Sequence, residues 1–127
     1  THDTQYGGHV DLLVKHRPTD SEWIGEAKIW KGVKYIEGGW EQLNDRYATG
    51  TLKENYGGML IYIKKDDAKS KFDDWCEHIQ KQQAGLSLTL DNENALRFDT
   101  THKATASGLD YFVKHIAVCL YHVSNPT

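Results

Sequence analysis

The sequence lacks several features that are typical of particular protein classes. It has two cysteines, Cys76 and Cys119, far apart and outside any CxxC or Cys/His spacing, which excludes a disulfide framework and a zinc finger. We expect both thiols to be reduced. No apolar run approaches the roughly 20 residues that span a bilayer. Residues 1–8 lack the charged and apolar regions of a signal peptide. We therefore expect a cytoplasmic protein with no membrane partner.

Positive charge is also scarce. Lysine and arginine number 15 against 18 acidic residues, which gives a formal net charge of −3. This excludes binding of nucleic acid through bulk positive charge, but not an enzyme that engages nucleic acid locally through bound cations. The lysines form two runs, Lys28, Lys31 and Lys34, and then Lys64, Lys65, Lys69 and Lys71. We interpret the second run as solvated surface.

The length of 127 residues suits one domain, since domains peak at roughly 100–150 residues. We expect residues 1–127 to form this single domain. The first residue is Thr1 and not methionine, so we also expect a processed chain or a piece of a longer, multidomain protein.

Hydrophobic patterning predicts an α/β fold, with a central mixed sheet flanked by helices and an added C-terminal β hairpin and strand. Turn residues and β-branched or alternating segments predict strands, and apolar residues at helical spacing predict helices. The predicted strands are His9–His16, Glu22–Ile29, Met59–Ile63 in the middle of the sheet, Leu86–Leu90 with Ala95–Phe98 as an outer hairpin around a turn at 91–94, and Tyr111–Val123, which could also be helical. The predicted helices are Glu37–Ala48, ending near Gly50, and Asp67–Gln83.

The second strand carries two charges on one face. Side chains alternate along a strand, so Glu26 and Lys28 point to the same side. Gly25 and Ala27 then point to the other side, which we expect to face a close-packed core. A carboxylate and an amine therefore share one surface.

The first strand adds a second carboxylate. If the hairpin closes through a turn at Pro18–Thr19, Asp11 lies directly opposite Glu26 on the same face. Two facing carboxylates repel each other unless a cation or a proton neutralises them, so a hard ion such as Mg²⁺, with Mn²⁺ as a substitute, is expected there. A water made more acidic by the metal and oriented by Lys28 is then a candidate nucleophile for a phosphodiester.

These residues resemble the signature of the PD-(D/E)XK nuclease superfamily, an Asp on one strand and Glu-X-Lys on the next. Here the two segments are Gly8–Val14 and Trp23–Ile29, and the resemblance covers roughly residues 5 to 83. It implies a restriction-endonuclease-like core. The family also has an acidic residue on a helix before the first strand, and this chain has no counterpart, so either a segment is missing or the site works without it.

The segment Glu41–Tyr47 is similar to the Gln-Leu-x-x-Arg-Tyr helix of several branches of that superfamily. The resemblance implies that Gln42 supports the metal site and that Arg46 and Tyr47 lie near the substrate. The alternative is that Gln42 and Arg46 are a surface pair, spaced i to i+4 on a helix. For the aromatic residues Trp40 and Tyr47 we expect a place in the core and not a base-stacking role.

The leading hypothesis is a Mg²⁺-dependent deoxyribonuclease in which Asp11 and Glu26 bind the ion and Lys28 assists the attack on DNA. Restriction, repair or anti-phage defence is the implied setting, and a homodimer or higher oligomer is expected for cutting both strands. Lys31 and Lys34 follow the motif where a phosphate backbone would run, and solvation explains them equally well. The alternatives are an inactive nucleic-acid-binding or interaction domain of the same fold, and a nuclease that cleaves RNA.

Overall fold

The structure, a computed structural model, describes residues 5–6, 9–16, 21–46 and 55–122. Side chains are described for residues 23–45 and 55–122. Within these ranges no helix is long and apolar enough to cross a membrane. Cys76 and Cys119 are free thiols, as expected.

After a short first strand that was not predicted, the strands and helices follow the predicted order. The elements are β1 Gln5–Tyr6, β2 His9–His16, β3 Ser21–Ile29, α1 Val33–Arg46, β4 Tyr56–Ile63, α2 Ala68–Gln82, β5 Ser87–Leu90, β6 Arg97–Lys103 and β7 Asp110–Cys119. The predicted α/β class is thereby confirmed, and so is the strand interpretation of the last segment.

Helix α1 begins four residues before its predicted start at Glu37. Gly32, whose φ of 106° favours glycine, precedes it, and the Gly32 carbonyl accepts a 3.3 Å hydrogen bond from the Ile36 N–H. A short glycine turn therefore separates β3 from α1. The predicted end of this helix, near Gly50, lies outside the described residues.

Helix α2 matches its prediction to within one residue at each end. Asp67 is the N-cap, and its carboxylate accepts a 3.2 Å hydrogen bond from the Ser70 N–H. An acceptor at this position satisfies one of the free N–H groups of the first turn. The Asp67 carboxylate therefore stabilises the start of the helix.

The seven strands form one mixed sheet in the order β1-β2-β3-β4-β7-β6-β5. Strands β3, β4 and β7 are parallel and central, and the outer pairs are antiparallel. Strand β4 lies in the middle, as predicted. Strands β5 and β6 form the predicted outer hairpin, and the Asp91 carboxylate in its turn accepts hydrogen bonds from the Glu93 and Asn94 N–H groups. Strand β6 extends five residues beyond the predicted Phe98, because it also pairs with β7.

Both helices pack on the same face of the sheet. The Trp75 indole of α2 donates a 3.0 Å hydrogen bond to His115 of β7, and the Trp40 ring of α1 stacks 5.4 Å from the same histidine. Trp40 is buried, which confirms its predicted core role. The largest buried apolar residues of this layer are Trp75, Tyr111, Phe72, Phe98, Ile36, Leu43, Met59, Ile61, Ile63 and Ile79. Among the described residues, the main core thus lies between the sheet and helices α1 and α2.

Candidate active site

The hairpin of β2 and β3 has the register that the sequence predicted. Asp11 pairs with Glu26, and Leu12 pairs with Gly25. Parallel pairing of β3 with β4 places Glu26 beside Met59 and Lys28 beside Ile61. The backbone position of Asp11 therefore faces Glu26, while the Asp11 side chain lies outside the described residues.

Glu26 and Lys28 share one face of β3, and that face is buried. Glu26 is fully buried and Lys28 is 6% exposed. We expected Gly25 and Ala27 to face a close-packed core. Gly25 is buried, and a Cβ atom there would lie 2.6 Å from the Trp23 ring and 3.1 Å from Leu60 Cδ1, so it is close-packed as expected. That packing lies on the side of β3 away from the helices, whereas the main core lies on the Glu26 side. The alternation of side chains along β3 places the two pairs of residues on opposite faces. The position of α1 decides which of these faces is covered by a helix.

Two glycines bring α1 close to this charged face. A Cβ atom at Gly39 would lie 2.9 Å from Lys28 Cδ and 3.2 Å from Glu26 Cγ, whereas at Gly38 it would be 3.7 Å from Lys28 Nζ. The first two distances are shorter than ordinary contacts, so only glycine fits at position 39 without a shift of its neighbours. Sequence reasoning missed this feature, although the adjacent glycines inside a predicted helix were a usable signal.

The Lys28 ammonium is held by an aromatic ring and a carboxylate. Its Nζ lies 3.9 Å from the centre of the Tyr35 ring, over the ring face, a cation–π geometry. Burial lowers the pKa of Lys28, the Glu26 carboxylate opposes this by attraction, and Lys31 lowers it further by repulsion. The Lys28 amine is therefore easier to deprotonate than the amine of an exposed lysine.

Gln42 lies on the stripe of α1 that covers these residues. Positions 35, 38, 39 and 42 follow the three- and four-residue spacing that aligns side chains on one helix face. Gln42 is half-buried, so the structure places it one turn beyond Gly39 and does not leave it on the exposed surface. Arg46 is the last residue of α1 with its side chain outside the described set, and Tyr47 lies wholly outside it.

The two lysines that follow the Glu-X-Lys segment are exposed. Lys31 Nζ is 5.1 Å from the Tyr35 ring centre. Lys34 is 79% exposed along its side chain and pairs with Glu37 at 3.4 Å. Neither contact removes its ammonium from solvent, which fits both a phosphate contact and simple solvation.

The later lysine run lies on the surface, as predicted. Lys64, Lys65 and Lys69 are exposed, and Lys69 pairs with Asp73 at 2.6 Å within α2. This run lies outside the Glu26–Lys28 face and carries no part of the candidate site.

Among the residues with described side chains, no three His, Cys, Asp or Glu residues come together as a metal-binding group. Asp11 is not in that set. No protein-family model matches the chain, and no curated protein or solved structure matches it either. The site is therefore interpreted from its own geometry.

Proposed function

We propose that this chain is a metal-dependent nuclease with a restriction-endonuclease-like core, and that it hydrolyses phosphodiester bonds of DNA. The supporting observation is the meeting of three positions. Asp11 faces Glu26 across the hairpin, and Lys28 lies beside Glu26 on the same buried face. Attack of water on phosphorus is assisted by carboxylates that hold a metal ion and by an amine that stabilises negative charge. These three positions would supply both kinds of group.

The proposed donor set fits a hard divalent ion. Asp11 and Glu26 would supply carboxylate oxygens, which Mg²⁺ and Mn²⁺ prefer. Glu26 is fully buried, and a buried carboxylate is stabilised by a nearby positive charge. When bound, the ion would lower the pKa of a coordinated water and offset negative charge at the phosphorus.

Lys28 would orient the attacking water or stabilise the charge that develops on the phosphate oxygens. Its low exposure suits this role because electrostatic interactions are stronger away from bulk water. Gln42, on the covering stripe of α1, would support the metal-bound groups through its amide. The water oxygen would bond to phosphorus, the bond to the leaving oxygen would break, and that oxygen would take up a proton.

DNA would be held by groups around the start and the end of α1. Lys31 and Lys34 would contact phosphates, and Arg46 and Tyr47 would lie near the substrate. The net charge of −3 means that affinity would come from these local contacts and the metal. One site cuts one strand, so we further propose that a homodimer or higher oligomer, or a larger multidomain protein, is the cutting form, in a cytoplasmic restriction, repair or anti-phage setting.

The proposal is tested by incubating the chain with supercoiled plasmid, linear DNA and RNA, with Mg²⁺, Mn²⁺ or EDTA. We expect DNA cleavage that needs metal and that falls by about a thousandfold in Asp11→Asn, Glu26→Gln and Lys28→Met. Lys103→Met is the matched lysine control, because Lys103 is 70% exposed and pairs with Asp110, away from the Glu26–Lys28 face. Circular dichroism of each variant establishes that it is folded.

Calorimetric titration with Mn²⁺ tests the donor set without relying on cleavage. We expect one site in the unmodified chain and its loss in Asp11→Asn. Metal-dependent cleavage of RNA alone would show that the substrate is RNA and not DNA. No cleavage of any substrate, together with retained DNA binding, would support the inactive binding domain and contradict the nuclease proposal.

A further inference from the structure

We propose that Tyr35 is a positioning residue that holds the Lys28 ammonium at the place where it acts on the substrate. The inference rests on the proposed nuclease function and adds to it a residue that the Asp, Glu-X-Lys and Gln-Leu-x-x-Arg-Tyr segments do not contain. It is carried by the contact of the Lys28 ammonium with the face of the Tyr35 ring, 3.9 Å from the ring centre.

A lysine side chain has four rotatable bonds, so an amine that must meet one phosphate oxygen needs to be fixed at more than one point. Helix α1 passes close to its stem, because a Cβ atom at Gly39 would lie 2.9 and 3.0 Å from Lys28 Cδ and Cε. This close approach limits the stem but leaves the terminal rotation free. The Tyr35 ring supplies the contact at Nζ.

Tyr35 and Gly39 are four residues apart on α1 and therefore lie on one helix face. The same helix thus holds the stem and the head of Lys28. The charged groups that act on Lys28 are Glu26 from its own strand, which attracts the ammonium, and Lys31 from the following turn, which repels it. The π face of Tyr35 favours the charged form, so it acts in the same direction as Glu26.

Tyr35 is 37% exposed, unlike the core aromatics. Its replacement should therefore disturb Lys28 without opening a large cavity in the core. The hydroxyl is not needed for the proposed role, since the attraction comes from the ring face. This separates Tyr35→Phe, which keeps the ring, from Tyr35→Leu, which keeps apolar bulk and removes the π system.

The first experiment measures kcat and KM of DNA cleavage with Mg²⁺ for these two variants. We expect Tyr35→Phe to stay within about twofold of the unmodified chain and Tyr35→Leu to lose about tenfold in kcat with little change in KM. Tyr121→Leu is the matched control, because Tyr121 is an exposed tyrosine after the last strand.

The second experiment does not depend on cleavage. Lysine labelled with ¹³C at Cε, assigned through Lys28→Arg, reports the ring-current shift of Lys28 by NMR. We expect the upfield shift to persist in Tyr35→Phe and to disappear in Tyr35→Leu.

The outcomes separate the two proposals. A chain that cleaves nothing with any metal overturns the nuclease function, and the NMR ring-current shift then still decides whether Tyr35 holds Lys28. Equal behaviour of Tyr35→Phe and Tyr35→Leu, in kcat or in the Lys28 chemical shift, overturns the positioning role.

Discussion

The two ends of the helix-covered sheet face bury polar groups in different ways. Under α1, β3 buries Glu26 and Lys28, two groups that carry charge. Under α2, β7 buries His115, which is neutral. Both groups of residues lie in the same layer of the same sheet. Their difference therefore distinguishes buried polar groups that stabilise the fold from buried charges that a functional site would require.

At the histidine end, each ring nitrogen of His115 has a partner. The Trp75 indole donates to Nδ1 at 3.0 Å, so Nδ1 carries no proton. Nε2 therefore carries it and donates to the Thr100 hydroxyl oxygen at 2.8 Å. Burial, helped by His102, lowers the His115 pKa to about 3. This network is neutral and satisfied, which is the condition under which buried polar groups stabilise and specify packing.

At the charged end, the stabilising contacts are an ion–ion attraction and a ring face. Charges removed from water lose hydration that their mutual attraction replaces only in part. The close approach of α1 to Lys28 requires a glycine at position 39. A glycine inside a helix costs about 1 kcal/mol of stability relative to alanine. Features that cost stability are expected where a site requires them, so this contrast supports placing the function at the charged end.

The largest expected change in stability comes from His115→Leu. The variant keeps apolar bulk but leaves the Trp75 N–H without its acceptor in a buried position. We expect the free energy of unfolding to fall by about 3 kcal/mol, measured by urea denaturation. His122→Leu is the control, because His122 is exposed after the last strand. A loss below about 1 kcal/mol in His115→Leu would show that the network is not stabilising.

The next effect is a dependence of stability on pH from the same histidine. The folded pKa of about 3 lies below the ordinary 6.5, so between these values the unfolded chain binds the proton and the folded chain does not. Stability therefore falls as pH is lowered from about 6.5, by about 2 kcal/mol at about pH 5, and levels off below the folded pKa. Above pH 6.5 this histidine contributes no slope.

Urea midpoints across this pH range test the effect. The slope should be smaller in His115→Leu and should not vanish, since burial also lowers the pKa of His102. An unchanged slope in the variant would assign the acid sensitivity to other groups.

The charged end should respond in the opposite sense. We expect the double variant Glu26→Gln/Lys28→Met to unfold with a free energy equal to the unmodified chain or about 1 kcal/mol higher, because it removes two buried charges. The exposed pair Asp99 and Lys114, 3.4 Å apart, provides the control double variant Asp99→Asn/Lys114→Met. A loss of more than about 2 kcal/mol at the buried pair would remove the contrast between the two ends.

The smallest expected change in stability is at Gly39. In Gly39→Ala the gain in helix propensity, about 1 kcal/mol, is offset by the short contacts with Lys28, so stability stays within about 0.5 kcal/mol. Cleavage should fall by about tenfold because Lys28 must move. Gly38→Ala is the matched variant, since its Cβ would make only an ordinary 3.7 Å contact. It should gain about 1 kcal/mol in thermal or urea unfolding and lose less activity than Gly39→Ala.

Much of the fold was predictable because its signals are local. Strand β2 was predicted with its observed bounds, and α2 was predicted to within one residue, since apolar periodicity and capping residues lie within each segment. The pairing of Asp11 with Glu26 was also predictable. A turn between adjacent strands and the two-residue period of a strand together fix one register.

Tertiary structure decided which face of β3 is covered by a helix. The alternation of residues 25–28 defines two faces, but only the packing of α1 on one of them covers Glu26 and Lys28 and leaves Gly25 on the other. The contact of Tyr35 with Lys28 also depends on that packing, because the two residues lie on different elements joined by a glycine turn. Sequence thus determined the elements and one hairpin register, whereas the burial of the charges and the ring over the lysine arise from a helix–sheet contact that no local pattern specifies.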